Sequence, residues 1–361
     1  FSERLVPSGD AELGDHRVLS RGSAGPHVVF VSHLDTVYPA EEQRRAGFAW
    51  RREGDWVIGP GVADIKGGTL VAWLALELLA ERRNELFEGT RWTVLLNASE
   101  EEGSSTFPGL AREVVSSPAA ACTLVFEHGT RSHDGRSSRV TVSRRGSARF
   151  RLDAVGRAAH SGSAHDQGVS AARQLARDVE RIESWTAPER GLTFNVGLLR
   201  GGSAINTVPE RASAWVDMRA DDPRAFEDGV RRMLALTGDG AVASRADGVL
   251  SRVEVVELPG YPPWPANDGT RQLSGVAEAA AGDLGHRLAT EHRLGASDAC
   301  HMWDLAPTLD GLGPIGAHIH CAVEDPATGR HPERMLVSSV PERAALVARL
   351  LERLLTGSPG S

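Results

Sequence analysis

His27-Val28-Val29-Phe30-Val31-Ser32-His33-Leu34-Asp35 is a short apolar run that ends in an imidazole and a carboxylate. A run of this length, rich in β-branched and aromatic residues, predicts a buried strand. Three more runs end the same way. Trp56-Val57-Ile58-Gly59-Pro60-Gly61-Val62-Ala63 delivers Asp64, Trp92-Thr93-Val94-Leu95-Leu96-Asn97 leads to Glu100 and Glu101, and Thr123-Leu124-Val125-Phe126 is capped by Glu127. Chemistry in an open α/β sheet sits outside the carboxyl ends of its strands. Acids and an imidazole gathered there are what one or two divalent metals require.

Outward from these runs, strand-like and helix-like segments alternate. Val28–Val31 is followed by a helix over 66–83, where Leu70, Trp73, Leu74, Leu76, Leu78 and Leu79 predict heavy burial. Trp92–Asn97 is followed by a helix over 110–116, then by the strand at Thr123–Phe126. The alternation predicts an α/β fold with a mainly parallel sheet and flanking helices. Near Arg144-Arg145-Gly146 the pattern changes to period two. Strands over 148–155, 192–199, 212–219 and 253–258, with helices over 168–185 and 224–236, predict an inserted α+β lid or dimerisation domain. The domains expected are therefore 1–145 and 259–361, together the catalytic domain, with 146–258 inserted between them. Pro259, Pro262, Pro263 and Pro265 mark the return. A helix over 273–284 and a final one over 341–355 complete the chain.

With 361 residues, 41% hydrophobic and 24% charged, the chain has the composition of a soluble globular protein of about two domains. Its net charge, 40 minus 48 or −8, argues against a nucleic-acid surface. No apolar run approaches the roughly 20 residues of a membrane span. No signal peptide is legible, and an opening at Phe1 without Met is consistent with trimming. Cys122, Cys300 and Cys321 show no CxxC spacing, and an odd count points to a reducing, cytoplasmic compartment.

Each candidate ligand has an ordinary alternative. His33 alone is a structural histidine, but Asp35, two residues on, suits a carboxylate that fixes the tautomer of a ligating imidazole. Asp64 before a helix is ordinarily an N-cap. The glycines around it permit a close backbone approach that a cap does not need. Glu100-Glu101-Glu102 is ordinarily a solvated charge run, yet the strand before it sets these acids at the crevice. Gly311-Leu312-Gly313-Pro314-Ile315-Gly316 matches a dinucleotide fingerprint but opens no helix, so an oxidoreductase is set aside. Asn97-Ala98-Ser99 is a sequon at a catalytic strand end and is expected to carry no glycan.

Taken together, Ser32-His33-Leu34-Asp35-Thr36-Val37, Gly59 to Gly68, Asn97 to Ser104 and Phe126-Glu127 resemble the co-catalytic zinc exopeptidases and amidohydrolases related to carboxypeptidase G, aminoacylase and succinyl-diaminopimelate desuccinylase. The resemblance spans about Pro26 to Leu355. It implies two divalent metals, zinc with Mn²⁺ or Co²⁺ as alternatives, held by His33, Asp64, Glu101, Glu127 and a further histidine, with Asp64 as the bridge. It also implies Glu100 as general base to a hydroxide shared by the metals, with Asp35 beside it. For the last ligand, His320 is in register after Gly313-Pro314, with Glu324 four residues on. His318, on the opposite side of an extended backbone, is second choice, and His331-Pro332-Glu333 resembles the end of the same motif displaced by an insertion.

The inserted domain carries Gly156-Arg157-Ala158-Ala159-His160-Ser161-Gly162, whose histidine in dimeric relatives reaches the partner's site and supports the oxyanion. Asn206 and Arg219 match positions that hold the substrate, and Ser297, in Gly295-Ala296-Ser297-Asp298-Ala299, is expected to line the pocket. Tyr261 stands where carboxypeptidase G has an arginine, so glutamate specificity does not carry over. The implied activity is metal-dependent hydrolysis of an amide bond in a peptide or N-acyl amino acid, of carboxypeptidase type. The alternatives are a dipeptidase or aminopeptidase, or a metal-free binding relative. A homodimer through the inserted domain is expected, with neither nucleic acid nor membrane as partner.

Overall fold

His27–His33 is buried at every position and lies inside a six-stranded sheet of the computed structural model, which describes residues 1–103, 105–132 and 137–357. The sheet order is Ser2–Val6, His16–Arg21, Arg91–Asn97, His27–His33, Cys122–Val125, Thr308–Leu309. The last four strands run parallel, and the first two add an antiparallel margin. A strand covered on both faces needs apolar residues at every position, which is why Val28, Val29, Phe30 and Val31 all exclude solvent.

The chain divides into two compact units. The first comprises Phe1–Arg144, Ala266–Arg293 and Ser297–Ser361. Its core packs Val28, Phe30, Leu124 and Phe126 against Val71, Ala75 and Leu79 of the helix Gly67–Arg82 and Val347 and Leu350 of the helix Ser339–Thr356. The helix Gly67–Arg82 departs from the heavy burial expected of it. Leu70 and Trp73 are 38% and 60% exposed, because the buried stripe consists of Gly68, Val71, Ala72, Ala75, Leu76 and Leu79. Small residues on that stripe let the helix lie close to the sheet: a Cβ on Gly68 would collide with the carbonyl oxygen of Phe126.

Asp64 is the other departure. The strand before it, Trp56–Ile58, belongs to a separate four-stranded sheet with Arg51–Glu53, Arg334–Leu336 and Gly316–Ala317, not to the parallel sheet. Asp64 therefore reaches the site from a distorted turn, Val62–Lys66, and not from a strand end.

The second unit, Arg145–Pro265 with Leu294–Ala296, is a five-stranded antiparallel sheet. Its order is Leu192–Gly201, Arg211–Ala220, Gly146–Val155, Leu250–Tyr261, Gly238–Ala243. The edge strand Gly238–Ala243 was not expected, since its glycine and alanine content hides a strand. The last long strand runs to Tyr261, three residues beyond the expected return. Helices Ala171–Glu183 and Pro223–Leu234 start at Ser170 and Asp222, whose side chains accept the amides of Arg173 and Ala225. Their apolar faces, Leu175, Ile182 and Met233, meet Phe150, Leu152, Phe194 and Met218 of the sheet.

Candidate metal centre

Parallel pairing sets His33 opposite Asn97, so the residues after both strands emerge at one edge. The His33 ring is 1% exposed, with Nδ1 3.0 Å from the Asp35 carbonyl oxygen and 3.3 Å from Asp35 Oδ1. With Nδ1 donating there, Nε2 faces the acids, 3.0 Å from Asp64 Oδ1 and 3.7 Å from Glu127 Oε1. Asp35 also fixes the neighbouring turn: its two oxygens accept the amides of Glu100 at 3.2 Å and Glu101 at 2.9 Å. One carboxylate thus orients both an imidazole and the pair of glutamates.

Asp64 is not a helix cap. Its φ and ψ, −117° and 85°, are non-helical, and the helix Gly67–Arg82 begins without a side-chain cap. Glu333, which the sequence did not single out, holds the turn from behind. This acid is fully buried; its Oε1 accepts the amides of Ala63 at 2.9 Å and Asp64 at 3.1 Å, and its Oε2 accepts the Tyr38 hydroxyl at 2.8 Å. Asp64 Oδ2 then faces His320 Nε2 at 3.3 Å, and Glu101 Oε2 lies 3.3 Å from the same nitrogen. The two oxygens of Asp64 therefore address two different imidazoles.

The positions of the three late histidines correct the sequence reading in two respects. The backbone is not extended there: His318 and His320 have φ of 58° and 62°, so a turn sends their rings apart. His318 stacks edge-on against His331, with ring centroids 5.2 Å apart. Glu324 lies 3.5 Å from His331 and not beside His320. His320 and Glu333 thus meet Asp64 from separate stretches of the chain. The motif-like His331-Pro332-Glu333 was the available signal for Glu333.

Burial pushes Glu100 up to about 7, helped by Asp64, Glu101 and Asp35 against the opposing pull of His33. Burial, then Asp64, raises Glu127 well above the carboxylate range. Burial disfavours the charge on Asp64, but bonds from His320 and His33 hold it well below that range. The same bonds from Asp64 and Glu101 raise His320 to about 10. Burial opposes a charge on His33, but Asp35 and Asp64 outweigh it and raise its pKa well above the usual value. Burial alone dominates at His128, pushing it down to about 3. Glu101 Oε1 is buried without a hydrogen-bond partner. A cluster that disfavours charge on Glu100 and Glu127, raises its two imidazoles and leaves a carboxylate oxygen unsatisfied is short of positive charge. Divalent cations fit it.

The loop around Asp298 supports this edge from behind. Asn97 donates to both oxygens of Asp298, at 2.9 and 3.1 Å, and is itself fully buried, out of reach of glycosylation. Ser297 is 0% exposed, and its hydroxyl donates to Asp310 at 2.6 Å. Its hydroxyl thereby ties the Ser297–Asp298 loop to the stretch that begins at Asp310. The stretch Gly311–Gly316 packs on the strand end that bears Glu127, where a Cβ at Gly313 would come 2.7 Å from the Glu127 carbonyl oxygen. Close approach, and not nucleotide binding, explains its glycines.

In the second unit, His160 and Asn206 share neighbouring loops joined by the Ser161 amide donating to the Asn206 carbonyl at 3.0 Å. His160 Nδ1 accepts the amides of Gly162 and Ser163, each at 3.2 Å, which leaves the proton of a neutral ring on Nε2. Arg219 pairs with Asp217 at 2.8 Å.

A profile of the peptidase dimerisation domain, named for M20, matches residues 142–242. Carboxypeptidase G2 of Pseudomonas sp. strain RS-16 is 30% identical over 360 residues, 99% of this chain and 81% of that protein. The chain belongs to the M20 metallopeptidase family. It is a metal-dependent hydrolase of that family. Succinyl-diaminopimelate desuccinylase of Methylorubrum populi is 26% identical over 347 residues, 92% of this chain and 83% of that one. A metallo-carboxypeptidase of this M20 family from Sulfolobus solfataricus superposes with a TM-score of 0.69, covering 98% of this chain and 90% of that one at 14% identity, which bears on the fold alone. Among the described residues, no helix is long and apolar enough to cross a membrane.

Proposed function

We propose that this M20 hydrolase cleaves the amide bond of a peptide or N-acyl amino acid in the manner of a carboxypeptidase, with two divalent metals and Glu100 as general base. The observation that carries the reading is the pair of contacts on Asp64: Oδ1 to the His33 side and Oδ2 to the His320 side. His33, Asp64 and Glu127 would hold one metal, and Asp64, Glu101 and His320 the other. Zinc suits this mixed imidazole and carboxylate set, as do Mn²⁺ and Co²⁺. Metals held there would supply Lewis acidity, polarising the scissile carbonyl and acidifying water.

Everything else falls to the chain. The amide of Glu100 is fixed by Asp35 next to that of Glu101, which sets its side chain beside the proposed ligands. Held there, its carboxylate can take a proton from water and pass it to the leaving nitrogen. His160, with Nε2–H free to donate, suits support of the oxyanion. Asn206 and Arg219 suit the substrate carbonyl and carboxylate, the latter through the planar guanidinium fork. The edge strand Leu192–Gly201 leaves Leu198 and Leu199 54% and 58% exposed, and a homodimer formed along that edge would cover them.

The names of two relatives, a carboxypeptidase and a desuccinylase, bracket the reaction class. A panel of N-acyl amino acids, N-blocked dipeptides and free dipeptides, assayed with added Zn²⁺, Mn²⁺ or Co²⁺, tests the reading. Turnover of the N-acylated substrates, abolished by chelator and restored by metal, is expected. Turnover of free dipeptides alone would replace it with the dipeptidase or aminopeptidase alternative, and no metal-dependent turnover of any amide would overturn it.

A further inference from the structure

His128, directly after Glu127, is a residue that the two-metal reading does not use. Asp64, Glu127 and His128 each bring a ligand atom within 4.8 Å of one another, the same closeness that joins His33, Asp64 and Glu101. The residue is partly exposed, yet its Nδ1 atom is buried and has no hydrogen-bond partner. A buried imidazole nitrogen without a partner costs free energy unless something binds it.

The backbone on both sides of His128 is pinned. The Glu127 carbonyl accepts the Gly313 amide at 2.8 Å, the Gly129 amide donates to Pro314 at 2.7 Å, and the Gly129 carbonyl accepts the Gly316 amide at 3.2 Å. Gly316 has no side chain where a Cβ would come 2.9 Å from the Cβ of His128. The glycine-rich stretch thus both fixes His128 and leaves room for its side chain beside the acids.

We infer that His128 is a fourth protein ligand to the metal held by His33, Asp64 and Glu127. The inference rests on the two-metal reading and adds an asymmetry to it. The inner metal would have four protein donors, two imidazoles and two carboxylates, a complement that leaves it only a fifth position for the shared hydroxide. The outer metal would have three, Asp64, Glu101 and His320, and keep the open position that substrate needs. The exposures agree: the His33 side chain is 1% exposed and that of His320 51%. The inner metal should be retained and the outer one exchangeable.

The test titrates the metal-free full chain with Co²⁺ and reads absorption and equivalents bound, independently of turnover. Wild type should take up two equivalents, one at least tenfold tighter than the other. In His128→Gln the tighter equivalent should weaken by about 10–100-fold, while the looser one should not change. In His128→Cys a thiolate-to-cobalt charge-transfer band, absent from wild type, should appear with the first equivalent. Thermal unfolding of both metal-free variants reports that they fold. Two equivalents bound with wild-type affinities in His128→Gln, and no new band in His128→Cys, would overturn the inference and leave the two-metal reading standing. A wild type that binds no cobalt would overturn both.

Discussion

Removing the Glu333 carboxylate tests how the turn that carries Asp64 is held. In Glu333→Ala the amides of Ala63 and Asp64 and the hydroxyl of Tyr38 all lose their acceptor. Each buried donor left unsatisfied costs about 1–3 kcal/mol, so the upper range for three is about 3–9 kcal/mol. Part of that is offset, because burial of the carboxylate is itself unfavourable: desolvation raises the Glu333 pKa despite its three donors. The expected loss is therefore in the lower half, about 3–5 kcal/mol, a large share of the roughly 5–15 kcal/mol that holds a domain together. Tyr38→Phe removes one donor and leaves the other two bonds, and should cost about 1–2 kcal/mol. Glu333→Gln, which keeps one carbonyl oxygen for the two amides, should fall between. Urea unfolding of metal-free protein measures these differences, and competition with a chromophoric chelator measures metal affinity, which should weaken about 10–100-fold in Glu333→Ala as Asp64 loses its fixed orientation. A Glu333→Ala chain that unfolds at the wild-type urea concentration and binds metal as tightly would refute this account of the turn.

Glu100→Gln should lower turnover by at least about 10²–10⁴-fold while metal content, measured by elemental analysis, is unchanged; loss of metal here but not in Glu101→Gln would exchange the two roles. His160→Ala should lower kcat without changing metal content. Mixing it with Glu100→Gln subunits should restore about a quarter of wild-type activity, because a mixed dimer has one intact site of two, whereas no recovery after demonstrated subunit exchange would place the histidine's action within its own chain. Stability should also depend on pH through His301, which burial pushes down to about 4. Because its folded pKa is depressed, the unfolded chain binds the proton first. This contribution is complete above about pH 6.5 and is lost as pH falls to about 4, by about 3 kcal/mol at most. Urea unfolding between pH 7 and 4 should be flatter by that amount in His301→Gln, and an unchanged slope would show that the buried imidazole is not what titrates.

Local pattern carried most of the fold to the surface of the sequence. Continuous apolar runs such as His27–His33 read as strands covered on both faces from their length and β-branched content, and His33 and the glutamates after Asn97 fell at one edge once parallel pairing set the register. What stayed hidden depended on tertiary placement. Leu70 and Trp73 read as buried because hydrophobicity was counted, whereas the helix Gly67–Arg82 packs through glycine, alanine and valine, whose small size decides which face can approach the sheet. Gly238–Ala243 has little intrinsic strand preference and forms against its neighbour Leu250–Tyr261. Glu333 was invisible as a partner of Asp64 because the two are far apart in sequence. The bond from the Ser297 hydroxyl to Asp310 was likewise not legible in its motif. His128 had no motif at all, and only the convergence of the chain around Asp64 gives it chemistry.

The central claim, two metals sharing Asp64, is tested most directly by counting metal in purified wild type and in His320→Ala after equilibration with Zn²⁺ and removal of excess. Two equivalents in wild type and one in His320→Ala are predicted, with His318→Ala and His331→Ala both retaining two. Fewer than two in wild type, or two retained in His320→Ala, would contradict it.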